Sequence, residues 1–148
     1  MASGPRIFRA TLVVGIGMIA AIDEIVFHQV LAWHHFYDLA TPAVGLFADG
    51  LLHAAELVAI VAGFFLYAEA RTHGSIDRRT AWAGLLVGGG GFQLFDGLVD
   101  HKLLRLHQVR YGVDNLLVYD LAWNGAGLLV LVIGLMLLRK RSASPPTA

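Results

Sequence analysis

The chain has 148 residues, of which 57% are hydrophobic and only 15% charged, with zero formal net charge and a mean hydropathy of +0.65. A soluble domain of this size carries about a quarter of its residues as charges, so the composition excludes an ordinary water-soluble globule. The lack of a basic field excludes nucleic acid as a partner, and the absence of cysteine excludes disulfides, thiolate metal sites and cysteine nucleophiles.

Four windows are long enough to cross a hydrocarbon core of roughly 20 residues, at 8–32, 46–68, 81–104 and 117–138. They are expected to be helices, because a lipid-exposed backbone must satisfy its hydrogen bonds internally. The expected fold is an all-α membrane protein, a four-transmembrane-helix bundle forming one domain over 1–141 and followed by a disordered, proline-rich tail at 142–148.

The first segment begins with Arg6 and Arg9 and lacks a small-x-small cleavage site, so it reads as a helix and not a removed signal peptide. Its far end carries Asp23, Glu24, His28, His34 and His35. At 3.6 residues per turn Asp23 and His34 differ by only about 20° around a helix, and Glu24, His28 and His35 fall within about 40° of one another. The second segment sets Asp49, His53 and Glu56 at i, i+4 and i+7. Glu69, His73 and Asp77 follow in a basic loop with Arg71, Arg78 and Arg79, and read as solvated.

The third segment opens on Gly84-x3-Gly88 and the run Gly88 to Gly91, a smooth surface for close helix packing. No lysine or serine follows in phosphate-loop spacing, so nucleotide binding is excluded there. Asp96, Asp100 and His101 close the segment, with His107 just beyond. The fourth carries Asp120 and Asn124 near its start and ends at Arg139, Lys140 and Arg141. Positive residues thus flank both termini and the middle loop, against only Lys102, Arg105 and Arg110 on the other side, which makes both termini cytoplasmic. Trp33, Tyr37, Tyr111, Tyr119 and Trp123 then form the outer aromatic belt, and Tyr67 and Trp82 the inner one.

Asp23, His28 and His34 recur as Asp96, His101 and His107 with identical spacing, and Asp49 and His53 fall opposite Asp120 and Asn124. The sequence therefore reads as a duplicated helical hairpin with a pseudo-twofold axis along the membrane normal. Glu24 against Gly97 and Phe27 against Asp100 make any site only approximately symmetric.

All the polar clusters converge in the outer half of the membrane. A carboxylate at the centre of a lone helix costs roughly 2.5–3.5 kcal/mol, so seven of them cost on the order of 20 kcal/mol unless compensated. Lys102 and Arg105 are too few for that, which leaves a bound cation or protonation. Imidazole and carboxylate are ligands for zinc, iron and copper(II), and helical bundles build such centres from facing helices. The expected ligands are Asp23, His28, His34, Asp49, His53, Asp96, His101 and His107, with His35, Asp100, Asp120 and Asn124 around them orienting those ligands. Glu24 and Glu56 are the candidate general bases of a metal-dependent hydrolase, with redox chemistry as the other enzymatic option. A proton or metal-ion relay is the alternative, disfavoured by an almost purely apolar inner half. A b-type haem between His28 and His101 is a second, disfavoured by crowded carboxylates.

The stretches Asp23-Glu-Ile-Val-Phe-His-Gln-Val-Leu-x-Trp-His-His35, Asp49-Gly-Leu-Leu-His53, Gly89 to Arg110 with its Phe95-Asp-Gly-Leu-Val-Asp-His-Lys102, and Tyr119-Asp-Leu-x-Trp-Asn124 resemble an uncharacterised bacterial family, the domain of unknown function number 2243. The resemblance covers nearly the whole chain. It implies four helices and a tendency to accompany genes for cytochrome oxidase assembly and metal handling, and it names no reaction. The sequence thus leads to a multi-pass metalloprotein whose site faces the outer, periplasmic side. Its expected partners are the bilayer and a metal ion, with self-association through Gly15, Gly17, Gly125 and Gly127 or a membrane partner protein as further options.

Overall fold

The computed structural model describes residues 4–142, with side chains as far as Arg139. Nearly all of the expected tail at 142–148 lies outside the described residues. Four helices account for the fold, and no strand occurs among the described residues. Helix α1 is α-helical over Gly4–Asp23 and continues without a break as a π-helix over Glu24–Val30. Helix α2 spans Pro42–Thr72 with proline in its first turn, where the missing N–H costs nothing. Helix α3 spans Arg78–Phe95 and likewise continues as a π-helix over Asp96–Leu103. Its start is fixed by Asp77, whose carboxylate accepts from the Arg79 N–H at 3.0 Å and the Thr80 hydroxyl at 2.7 Å. Helix α4 spans Leu116–Ser142.

Three of the four, over Gly4–Val30, Pro42–Thr72 and Leu116–Arg139, are long and apolar enough to cross a membrane. In α3 the glycine run and Gln93 contribute little hydropathy, and Asp96 and Asp100 subtract from it. The large apolar side chains lie mostly on the outside. Phe47, Val58 and Phe65 on α2 and Leu117, Leu121 and Leu129 on α4 are all more than half exposed, while Asp23, Glu24, Asp49, Glu56 and Asp96 are buried. That is the reverse of a soluble protein and suits a hydrocarbon solvent.

The helices form a row and not a closed ring. Helices α1 and α3 pack together at the centre, α2 packs on α1, and α4 packs on α3; α2 and α4 do not touch among the described residues. Glycine makes the central contacts possible. A Cβ at Gly88 would overlap the Leu12 carbonyl of α1, and one at Gly90 would overlap the Leu131 backbone of α4. Only hydrogen at these positions lets α3 approach both neighbours closely.

A side chain at Gly88 must therefore push α1 from α3. Gly88→Val is expected to cost about 3 kcal/mol or more, at or beyond the usual range for overpacking, and to broaden or abolish the thermal transition in detergent. Gly91→Ala, where the added carbon meets open space, should leave it unchanged.

A buried centre of histidine and carboxylate

The functional residues are positioned by the way α1 and α3 end. In each π segment the backbone bonds lengthen to i→i−5, from Leu31 N–H to the Val26 carbonyl at 2.9 Å and from Leu104 N–H to the Val99 carbonyl at 2.7 Å. A wider loop closes next, from Trp33 N–H to Phe27 and from Leu106 N–H to Asp100, both at 2.9 Å. Between them Ala32 and Arg105 adopt left-handed backbones with φ of 48° and 54°, which is uncommon for residues with side chains. Every member of the second set stands at the offset that carries Asp23 onto Asp96. Single-turn π segments are frequent at functional sites because they re-aim side chains. Here they fold the chain back over the helix ends, so His34 and His107 reach the centre from the connecting segments. The α-helical winding expected to run on through these residues gives way to π winding after Asp23 and Phe95, and the helices end at Val30 and Leu103.

Four imidazoles meet there, on His28, His34, His101 and His107, all buried. The His34 and His107 rings stack with centroids 4.5 Å apart and planes 12° from parallel. His28 packs edge-on against His34 at 4.4 Å, and His101 against His107 at 4.5 Å. His34 Nδ1 lies 2.9 Å from the Val109 carbonyl, and His107 Nδ1 lies 2.9 Å from the Phe36 carbonyl. A carbonyl can only accept, so each Nδ1 carries the proton and each Nε2 is a bare lone pair. The two bonds are reciprocal: each half of the chain supplies the acceptor for the other half's histidine.

Those lone pairs point into the cluster. His34 Nε2 has no hydrogen-bond partner, and His107 Nε2 lies 2.8 Å from His101 Nε2. The Asp96 carboxylate stands 3.2 Å from His101 Nε2 and 3.7 Å from His107 Nε2, and it is held by the Trp123 indole N–H at 3.0 Å. On the other side, His28 Nδ1 lies 2.9 Å from Glu24 and 3.1 Å from Asp49, and its Nε2 lies 3.8 Å from Asp23 and makes no hydrogen bond. Asp49 is well supplied, accepting from Phe36 N–H at 2.7 Å and lying 2.6 Å from His35 Nδ1. Three sets of ligand atoms fall within the reach of a single ion: His28, His34 and His107; Asp96, His101 and His107; and Glu24, His28 and Asp49.

Burial acts on the two connecting-segment histidines as it should on bases. Desolvation, then the neighbouring His107, His28 and His101, push His34 down to about 2. Desolvation pushes His107 down to about 4, against the opposing pull of the Phe36 carbonyl. Both are neutral, lone-pair donors at physiological pH.

Of the residues singled out in the sequence, the structure brings together Asp23, Glu24, His28, His34, Asp49, Asp96, His101 and His107. His35 lines the rim, reaching the centre through Asp49. His53 is set aside: its side chain is 58% exposed and pairs with Glu56 at 2.5 Å. Among the described residues helix α2 packs only on α1, so its buried stripe is narrow enough to take Asp49 and Glu56 but not His53, about 40° further round. Asp120 and Asn124 form a separate group on α4, where Asp120 holds the Lys102 ammonium at 2.7 Å and its carbonyl accepts from Asn124. Asp100 is buried, and its carbonyl closes the second loop. Trp123, expected in the outer belt, is buried as the donor to Asp96. Phe36, Val109, Trp123 and Gln29, which donates to Glu24 at 2.7 Å, escape sequence reasoning. The one available signal for the first two was that Phe36 and Val109 share the offset of His34 and His107.

An all-helical chain that turns apolar side chains outward around a buried imidazole and carboxylate centre defines a membrane protein of the polar-core class. The family model described as "Predicted membrane protein (DUF2243)" matches residues 10–141, and the chain belongs to that family. No curated protein and no solved structure matches it.

The depressed histidines fix the sign of a pH effect. The unfolded chain binds protons on His34 and His107 near the ordinary value of 6.5 and the folded chain does not, so the unfolded state gains as pH falls. Each of the two histidines therefore contributes stability that is fully present above about pH 6.5 and declines below it, by up to about 1.4 kcal/mol per pH unit. Melting temperatures of chelator-treated wild type and His34→Gln, compared between pH 7.5 and 5, isolate this contribution: wild type should lose stability relative to the variant on acidification, and parallel profiles contradict the assignment.

Proposed function

We propose that this protein is an integral membrane metalloprotein that holds a transition-metal ion through the histidine cluster, with redox or ion-holding chemistry at a centre open to the outer side. The observation that carries this reading is the reciprocal pair of bonds to Val109 and Phe36. They lock both rings in the tautomer a metal requires and leave His34 Nε2 buried with nothing to bind. His28, His34 and His107 form one face of the ligand set, and His101 with Asp96 the other. Three or four imidazoles with one carboxylate suit Zn2+, Cu2+ or Fe2+.

Redox or ion holding is favoured over hydrolysis because both candidate bases stand directly against imidazoles, Glu24 at 2.9 Å from His28 with its other oxygen accepting from Gln29, and Glu56 at 2.5 Å from His53. A haem is disfavoured because His34 and His107 fill the space a porphyrin needs beside His28 and His101. A complete ion pathway is disfavoured because the buried acids and histidines stop at Asp23 on α1, Glu56 on α2 and Asp96 on α3 among the described residues. Access runs instead through an outer cavity of about 450 Å³ lined by Trp33, His34, His35, Asp38 and Tyr111. In this reading α3 is the fourth span, the two hairpins are a pseudo-twofold repeat, both termini are cytoplasmic, and the protein sits in a bacterial inner membrane with its mouth toward the periplasm.

Two experiments test this. Protein purified without chelator or histidine tag should contain stoichiometric metal by elemental analysis. His34→Ala and His107→Ala should weaken binding by more than about 100-fold, beyond what loss of an outer partner produces, while His53→Ala binds as wild type; wild-type metal content in both cluster variants would sink the ligand assignment. Because the chain has no cysteine, single cysteines report topology directly. An impermeant thiol reagent applied to intact cells should label Ala40→Cys and Asn115→Cys and leave Arg78→Cys unlabelled until the membrane is opened.

A further inference from the structure

His28 presents ligand-type atoms on both edges of its ring. Its Nε2 has no hydrogen-bond partner and lies 3.8 Å from Asp23, and the His34 ring packs edge-on with its centroid 4.4 Å away. Its Nδ1 lies between two carboxylates, 2.9 Å from Glu24 Oε2 and 3.1 Å from Asp49 Oδ1. A ring nitrogen carries at most one proton, and here the Asp49 bond uses it. Glu24 Oε2 is left without a hydrogen bond although its side chain is 1% exposed. Two carboxylate oxygens and a nitrogen thus converge in a dry interior around a single proton, which leaves negative charge under-compensated.

The surplus is greatest on this side. Asp23 Oδ1 and Glu56 Oε2, both buried, also lack hydrogen bonds. No lysine or arginine reaches Asp23, Glu24, Asp49 or Glu56 among the described residues, whereas Asp120 in the other half has Lys102 at 2.7 Å. A single ion among the histidines would not relieve the Glu24 and Asp49 pair, which faces the opposite edge of the ring.

We propose that Glu24, His28 and Asp49 form a second, oxygen-rich cation position that shares His28 with the histidine position, so that the centre holds two divalent ions, one on each edge of the imidazole. The second ion takes the place of the Nδ1 proton: the N–H bond breaks, a nitrogen–metal bond forms, the proton leaves to solvent, and no electron is transferred. Two carboxylates and one imidazole suit Zn2+, Mn2+ or Fe2+, a harder preference than that of the imidazole-rich position. The inference rests on the metal reading of the histidine cluster and extends it.

The test is metal stoichiometry on the full-length protein in detergent, loaded with Zn2+ and then with Cu2+. Wild type should bind two ions per chain, and Glu24→Gln and Asp49→Asn, each checked for retained helicity and monodispersity, should bind one. With copper on both edges of the ring, the spins counted by electron paramagnetic resonance should fall below the copper counted by elemental analysis, through coupling across the imidazole, and Glu24→Gln should restore equality. One ion per chain in wild type, with spin and copper counts equal and unchanged in Glu24→Gln, overturns the second position and leaves the first standing. No ion in wild type under any loading overturns both.

Discussion

The fold depends on one exchange of hydrogen bonds. His34 donates to the Val109 carbonyl and His107 to the Phe36 carbonyl, so the segment following each central helix is tied to the ring delivered by the other. A carbonyl in a connecting segment packed against the bundle needs a donor, and a buried neutral imidazole needs an acceptor for its one N–H. Each satisfies the other, and the geometry that does so leaves the remaining nitrogen free of the backbone. The same two bonds that close this end of the fold orient the rings of the cluster, so structural closure and cluster formation are not separable here.

That closure is possible only because α1 and α3 approach closely and then change their winding. Gly88 lets the helices meet backbone to backbone, and the π turns with left-handed Ala32 and Arg105 reverse the chain within a few residues. A left-handed backbone at a residue with a side chain costs of order 1 kcal/mol or more and persists only where its surroundings hold it. Here the His34 and His107 bonds and the Asp49 bond to Phe36 N–H hold the reversed segments. The strain sits at the functional site, where such backbone is usually found.

The four helices and the gathering of acids and histidines at one end were legible from residue type alone, because an ionisable residue inside an apolar run must face protein interior. The path of the backbone was not. A straight helix puts His34 on the stripe of Asp23 and so predicts the right neighbourhood by the wrong route; nothing in Leu31-Ala32-Trp33 marks a helix end. His53 misleads in the opposite way. Its i+4 spacing from Asp49 implies a shared face, but whether a 40° offset stays buried depends on how many helices surround α2, and among the described residues α2 packs on α1 alone. The Trp123 bond to Asp96 was masked because tryptophan near a span's outer end is ordinarily an interfacial anchor.

His28 and His101 stand at the offset that carries Asp23 onto Asp96, yet their surroundings differ. His28 is flanked by Glu24 and Asp49, while the residue at the same offset from Glu24 is Gly97, whose missing side chain admits Asn124 and Trp123. Asp120 on α4 pairs with Lys102. One half of the centre therefore concentrates carboxylate oxygen around a ring nitrogen, and the other neutralises its acid with an ammonium and keeps only Asp96 beside the rings. Helix packing does not account for this difference, since Gly17 meets the Glu56 and Ile60 backbones of α2 as Gly90 meets the Gly127 and Leu131 backbones of α4, and the chain reverses the same way after α1 and α3. The difference lies in the side chains around the rings and not in the scaffold that holds them.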